Sequence, residues 1–190
     1  MQVIETSIPG CYKIQAEVRN DPRGSFVKIV HAGIFKSCGL NWDFVEQYYT
    51  VSRRGVIRGM HFQLPPFDHH KLVYCASGNA LDAVVDLRVG SSTCGKHISV
   101  ELSGENGMAL YIPPGLAHGF CAITEHATMV YNVTSCYSAE SDCGILWSSA
   151  GIDWPVETPI MSPRDSALPK LSDFRSPFRM HDPEIETLTR

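Results

Sequence analysis

From Gly55 to about Trp147 the chain is a run of short apolar or alternating segments, and no interval between them is long enough for a helical crossover. That spacing constrains the fold more than any other feature. Neighbouring strands must pair antiparallel or cross between packed sheets, which predicts a mainly β sandwich or barrel. Strands are expected near residues 71–77, 80–87, 98–102, 108–112, 119–123 and 128–133, broken by Ser-Gly-Glu-Asn-Gly, Pro-Pro-Gly and Thr-Glu-His. The Gly78-Asn79 step between the first two predicts a hairpin. In the second strand the period of two places Asp82, Val84 and Asp86 on one face. Helix is expected only at 32–38 and as a single turn at 163–167.

The 190 residues can bury one core without disulfides or a structural metal. Residues 1–174 are expected to form a single domain, followed by a polar tail over 175–190 that contains Pro177 and Pro183. The seven cysteines are scattered with no C-x-x-C spacing, which argues against a zinc knuckle and a complete disulfide framework. A net charge of -4 and no Lys/Arg run give no footprint for nucleic acid. No apolar run has the length of a membrane span and Met1 to Gly10 does not read as a signal peptide, so a cytoplasmic location is expected.

The segment Gly107-Met-Ala-Leu-Tyr-Ile-Pro113-Pro-Gly115-Leu-Ala-His118 resembles the second signature of the cupin barrels, with Ala122 where an Asn usually ends it. The first signature requires two histidines one residue apart and a glutamate six residues before a glycine. Here it reads His61-Phe-Gln63, and Lys71 stands six residues before Gly78. A protonated lysine has no lone pair to offer a metal, so no metal is expected.

A longer series carries a closer resemblance. Asp21-Pro-Arg23-Gly, Gly55-Val-Ile-Arg58-Gly-Met-His61-Phe-Gln, Pro65-Pro66, Lys71-Leu-Val, Asp82-Ala-Val-Val-Asp86, Ile112-Pro-Pro-Gly-Leu-Ala-His118-Gly-Phe, Gly151-Ile-Asp-Trp-Pro155 and Ser162-Pro-Arg-Asp165 occur in the order seen in the dTDP-4-dehydrorhamnose 3,5-epimerase family. The resemblance implies a cupin-like jelly-roll β-barrel with a few short helices. It also implies a homodimer with exchanged N-terminal strands, and a nucleotide diphosphate 4-keto-6-deoxyhexose as substrate, inverted at C3, C5 or both without a cofactor. Carried over by position, His61 is the base, Asp165 its dyad partner, Tyr131 the proton donor on the opposite face and Lys71 the cation near the keto oxygen. Arg23, Arg58 and His118 line the sugar and phosphate site.

The chemistry is consistent on its own terms. Removing a proton beside a ketone needs a positioned base and a donor for the enolate oxygen, and inversion needs a second acid on the other face. Read singly, His61 would be a structural histidine, Tyr131 a packing residue and Lys71 a solvated edge charge; the set gives them their functional reading. Gln63 occupies a former ligand position, and Asp82 is a candidate carboxylate supporting the site from behind.

Departures from the family pattern bear on the substrate. Glu46-Gln47-Tyr48 stands where Q-x-N is common, Arg19 where an aromatic is usual and Asn79 where a glutamate is usual. Glu46 and Tyr48 therefore join the candidate binding residues, and Glu46 favours a base bearing an amino group. The alternatives are a single-centre epimerase acting on a CDP- or GDP-linked sugar, a non-catalytic sugar-nucleotide-binding cupin, and a metal-dependent oxygenase, which the missing ligands disfavour.

Overall fold

The computed structural model describes residues 1–180. It contains thirteen strands and two short helices. In chain order the strands are β1 Gln2–Glu5, β2 Tyr12–Gln15, β3 Val18–Asp21, β4 Gly24–Val27, β5 Glu46–Arg53, β6 Ile57–Gln63 and β7 Lys71–Ser77. They continue as β8 Asn79–Asp86, β9 His97–Ser103, β10 Met108–Ile112, β11 Leu116–Ala122, β12 His126–Val133 and β13 Asp142–Gly144. Helix α1 is Ala32–Ser37 and α2 is Pro163–Ser166. Both coincide with the expected helical stretches, and a 3-10 turn at Leu171–Asp173 adds to them.

One sheet has the order β1-β2-β10-β7-β12-β5 and the other β13-β6-β11-β8-β9, with β3-β4 a separate hairpin. All strand pairs are antiparallel. From β5 to β8 the chain changes sheet at every step, the two-layer weave of a jelly roll. That weave corrects one expectation. β7 and β8 do not form a hairpin, because they lie in different sheets. At Gly78 the backbone turns with φ +78°, and a side chain there would collide with the His126 carbonyl. The glycine serves a crossing between layers, for which the local Gly-Asn signal is indistinguishable from a two-residue turn.

The middle strands are covered on both faces, which explains why β8 is buried almost throughout. Val84 points between the sheets with Val73, Leu110, Phe120 and Met129. Ala83 and Val85 face the other way, against Met60, Phe62, Ile145 and Phe178. On the far side of the first sheet Phe35 of α1 packs on Leu72, Ala109 and Tyr111. Each of the larger of these side chains contributes roughly 2 to 3 kcal/mol through burial.

Phe178 also changes the expected tail. It is buried against the Phe62 ring, and the Phe178 carbonyl accepts a hydrogen bond from the Val89 N–H at 3.0 Å. The part of 175–190 that is described is therefore docked on the second sheet, and residues 181–190 lie outside the described residues. No helix among the described residues is long and apolar enough to cross a membrane.

Candidate active site

A cavity of about 430 Å³ lies between the sheets, walled by β5, β7 and β12 on one side, by β6 and β11 on the other, and by α2. The feature that assembles it is a bulge. His118 of β11 is paired with His61, but Phe120, two residues on, is paired with Arg58, so β6 spends an extra residue there. In a regular strand, residues three apart point to opposite faces; the bulge lets both Arg58 and His61 line the cavity. Gly59 makes this possible with φ +133°, and any side chain on it would strike the Gly119 backbone. The Gly59 N–H is also freed from the ladder and reaches an Asp165 oxygen at 3.3 Å.

Ser162 caps α2 by accepting the Asp165 N–H at 3.0 Å, which fixes the Asp165 side chain over β6. Its Oδ1 lies 2.8 Å from His61 Nε2. Burial alone would raise the Asp165 carboxyl, but the His61 ring and the Gly59 N–H hold it below the usual range. The carboxylate can only accept, so His61 donates to it from Nε2. His61 is partly exposed and lines the cavity.

A second pair lies deeper. His118 Nε2 is 2.8 Å from Asp82 Oδ2, and both side chains are buried. Burial pushes the Asp82 carboxyl up despite His118 and Lys71, and its Oδ1 has no hydrogen-bond partner. Lys71 points to the same interior, where burial lowers its ammonium to about 8 while Asp142 and Asp82 oppose the shift; its Nζ donates to the His61 carbonyl at 3.3 Å. Tyr131 is held far above the ordinary phenol value, chiefly by burial, and so keeps its proton at neutral pH. Its ring stacks on Tyr48 at 4.7 Å and meets the His118 ring edge-on at 6.0 Å.

The other sequence-derived candidates divide. Arg58 lines the cavity and donates from Nε to Ser52 at 3.0 Å. Glu46 lines it too, but accepts the Tyr137 N–H at 3.0 Å, so it already fastens a loop. Gln63 is likewise engaged, donating to the Phe67 and Cys136 carbonyls and accepting the Ser138 N–H at 2.7 Å. Asp82 stands behind the wall and is not a lining residue. Arg23 sits at the β3–β4 turn, paired with Asp21 and 89% exposed, and it does not line this cavity.

Several further lining residues carry little or no signal in the sequence. Arg164 pairs with Asp142 at 2.9 Å at the cavity edge. Its one signal is its place beside Asp165 in a capped turn. Tyr137, Asp142 and Thr50 have no comparable signal, because long-range pairing brings them in. His69 also lines the cavity, and its basicity is lowered to about 3, first by burial and then by Lys71. Among the described residues no cluster of three or more His, Cys, Asp or Glu side chains could hold a metal ion.

The sequence profile described as dTDP-4-dehydrorhamnose 3,5-epimerase matches residues 5–173. This chain belongs to that family. A Shigella flexneri dTDP-4-dehydrorhamnose 3,5-epimerase is 41% identical over 168 residues, covering 87% of this chain and 93% of the relative. A Streptomyces niveus dTDP-4-dehydrorhamnose 3-epimerase is 38% identical over 178 residues, covering 92% and 86%. The crystal structure of a Legionella pneumophila 3,5-epimerase in complex with dTDP-4-keto-L-rhamnose superposes with a TM-score of 0.90 at 33% identity, over 95% of this chain and 99% of the other. The epimerase family is a family of isomerases, and its cupin-like fold is the two-sheet weave described above.

Proposed function

We propose that this epimerase inverts C3, C5 or both of a dTDP-linked 4-keto-6-deoxyhexose. The observation that carries the reading is that the His61 ring, held at Nε2 by Asp165, and the Tyr131 phenol, kept protonated by burial, enter one cavity from opposite sheets. His61 takes the proton from carbon, and the C–H electron pair moves to the ketone oxygen as an enolate. Lys71 stabilises that oxygen electrostatically. Tyr131 then returns a proton to the other face of the carbon, the ketone re-forms, and solvent restores the phenol while His61 releases its proton. Asp165 holds the ring and stabilises the imidazolium. Arg58 is placed for the phosphates. A thymidine diphosphate carrier is supported by the names of the relatives, and inversion at C3 alone is the second reading, supported by the 3-epimerase among them.

In a homodimer, the exposed β3–β4 hairpin would carry Arg23 and the exposed Phe26 to a partner's cavity, where Arg23 would meet the substrate that it cannot meet in its own chain. The test of the activity is incubation with dTDP-4-keto-6-deoxy-D-glucose, the C3,C5 epimer of dTDP-4-keto-L-rhamnose, in deuterium oxide, with NMR used to locate the label. Deuterium at C3, C5 or both, lost in His61→Asn, is expected. Wild-type labelling in that variant would remove His61 from the role.

A further inference from the structure

We propose that Tyr48 is a positioning residue for Tyr131: its ring, stacked on the Tyr131 ring, holds the phenol where it delivers a proton to the sugar carbon. The proposal rests on the reading of Tyr131 as the acid. Tyr48 of β5 and Tyr131 of β12 are direct cross-strand partners. Their ring centroids are 4.7 Å apart with an interplanar angle of 15°, while the His118 ring approaches Tyr131 at 72°. Tyr131 is thus pinned on a face and at a second contact, and rotation of its side chain would require Tyr48 to move as well. An aromatic pair of this kind shifts a conformational population roughly three- to tenfold.

A purely structural role for Tyr48 fits less well. It is not a core residue, since it is 41% exposed and lies on β5, the last strand of its sheet, yet it lines the cavity. The resemblance places Asn at this position, and an amide cannot stack as a ring does. Tyr131 is only 6% exposed, so a displaced orientation would open its hydroxyl to water that competes for hydrogen bonding. His61 lies on the opposite sheet, with its ring held by Asp165, so proton abstraction is independent of the stack.

The test measures two rates on one sample, inversion and solvent exchange, with dTDP-4-keto-6-deoxy-D-glucose in deuterium oxide. Tyr48→Leu and Tyr48→Asn should lower the inversion-to-exchange ratio about five- to tenfold, a ratio that a change in substrate binding alone leaves untouched. Tyr48→Phe, which keeps the ring, should restore the ratio. An unchanged ratio in both Leu and Asn variants, beside a reduced one in Tyr131→Phe, would overturn the positioning role and leave the Tyr131 reading intact. An unchanged ratio in Tyr131→Phe would overturn that reading and this proposal with it. A Phe variant as impaired as Leu would show that the ring is not what matters.

Discussion

The two His–Asp pairs of this molecule are chemically alike and have the same 2.8 Å separation, yet they sit in opposite settings. At the cavity edge, His61 is 28% exposed and Asp165 also receives the Gly59 N–H, so the carboxyl is held low. Between the sheets, His118 is 4% exposed and Asp82 has one oxygen with no partner, so burial wins and the carboxyl is raised. The difference teaches that a hydrogen-bond length does not define a role. Supporting donors and the greater exposure of His61 make the first pair suited to moving protons, while the second, whose His118 also lines the cavity, is suited to holding the barrel interior in one arrangement. The signs with pH are opposite. Asp165 adds stability above its ordinary value of 3.8 that is lost as pH falls through its lowered native value. Asp82 binds its proton more tightly in the fold, so its contribution is favourable in acid and is lost as pH rises past 3.8 through the raised value.

The largest expected effect breaks the first pair. His61→Asn should reduce turnover and solvent exchange about a thousandfold, and Asp165→Asn about a hundredfold, with thermal midpoints close to wild type. Steady-state kinetics beside thermal melts check this. A collapse of the melt with little change in turnover per folded molecule would reverse the roles assigned to the pairs.

Breaking the second pair should do the converse. Asp82→Ala strands His118 Nε2 in the interior and should destabilise the fold by about 4 kcal/mol, read from urea denaturation. Its folded fraction should retain more activity than Asp165→Ala. Equal destabilisation in both alanine variants would erase the distinction.

Lys71 sits between the pairs and sharpens the contrast through pH. Its native value of about 8 lies below the ordinary 10.5, so from about 8 to 10.5 the unfolded chain holds the proton that the fold has released. Stability attributable to Lys71 must therefore rise with pH across that window, by roughly 3 kcal/mol. Lys71→Met should be more stable than wild type at neutral pH and lose that advantage by about pH 10.5, while its turnover stays low throughout. Wild-type turnover should decline above about pH 8 as the ammonium is lost. Parallel stability profiles for the two proteins would show that the buried amine carries no such penalty.

Much of this contrast is legible in the sequence alone, and the reasons for the remainder are specific. The strands announce themselves by apolar runs and turns, His61, Lys71, His118 and Asp165 by ordered motifs, and Tyr131 only by its position in the family resemblance. The role of Gly78 is not legible, because a local turn signal does not say whether the next strand joins the same sheet. The bulge at Gly59 is hidden for the same reason, since it exists only relative to β11. Arg23 is legible as a motif residue and illegible as a location. Gln63 and Glu46 are legible as polar residues near the site, but their partners on the 135–138 loop come from some 70 to 90 positions away.

Glu46 supplies the smallest effect and a third case beside the two paired aspartates. Its carboxylate serves a backbone N–H, that of Tyr137, so its structural duty needs an acceptor and not a charge. Glu46→Gln keeps an acceptor oxygen of the same reach and removes a negative charge from a cavity that also holds Asp142. The fold should be unchanged. A diphosphate is repelled by that charge across a solvent-filled opening, where salt screens it over about 8 to 10 Å. Calorimetric titration should therefore show dTDP binding tightened about threefold at low ionic strength and the gain fading at high salt. The same variant should tighten CDP and GDP less, if Glu46 accepts a hydrogen bond from the amino group of cytosine or guanine, because the amide would lose part of that contact. Equal tightening for all three nucleotides would reduce Glu46 to a charge and a loop fastener, with no part in choosing the base.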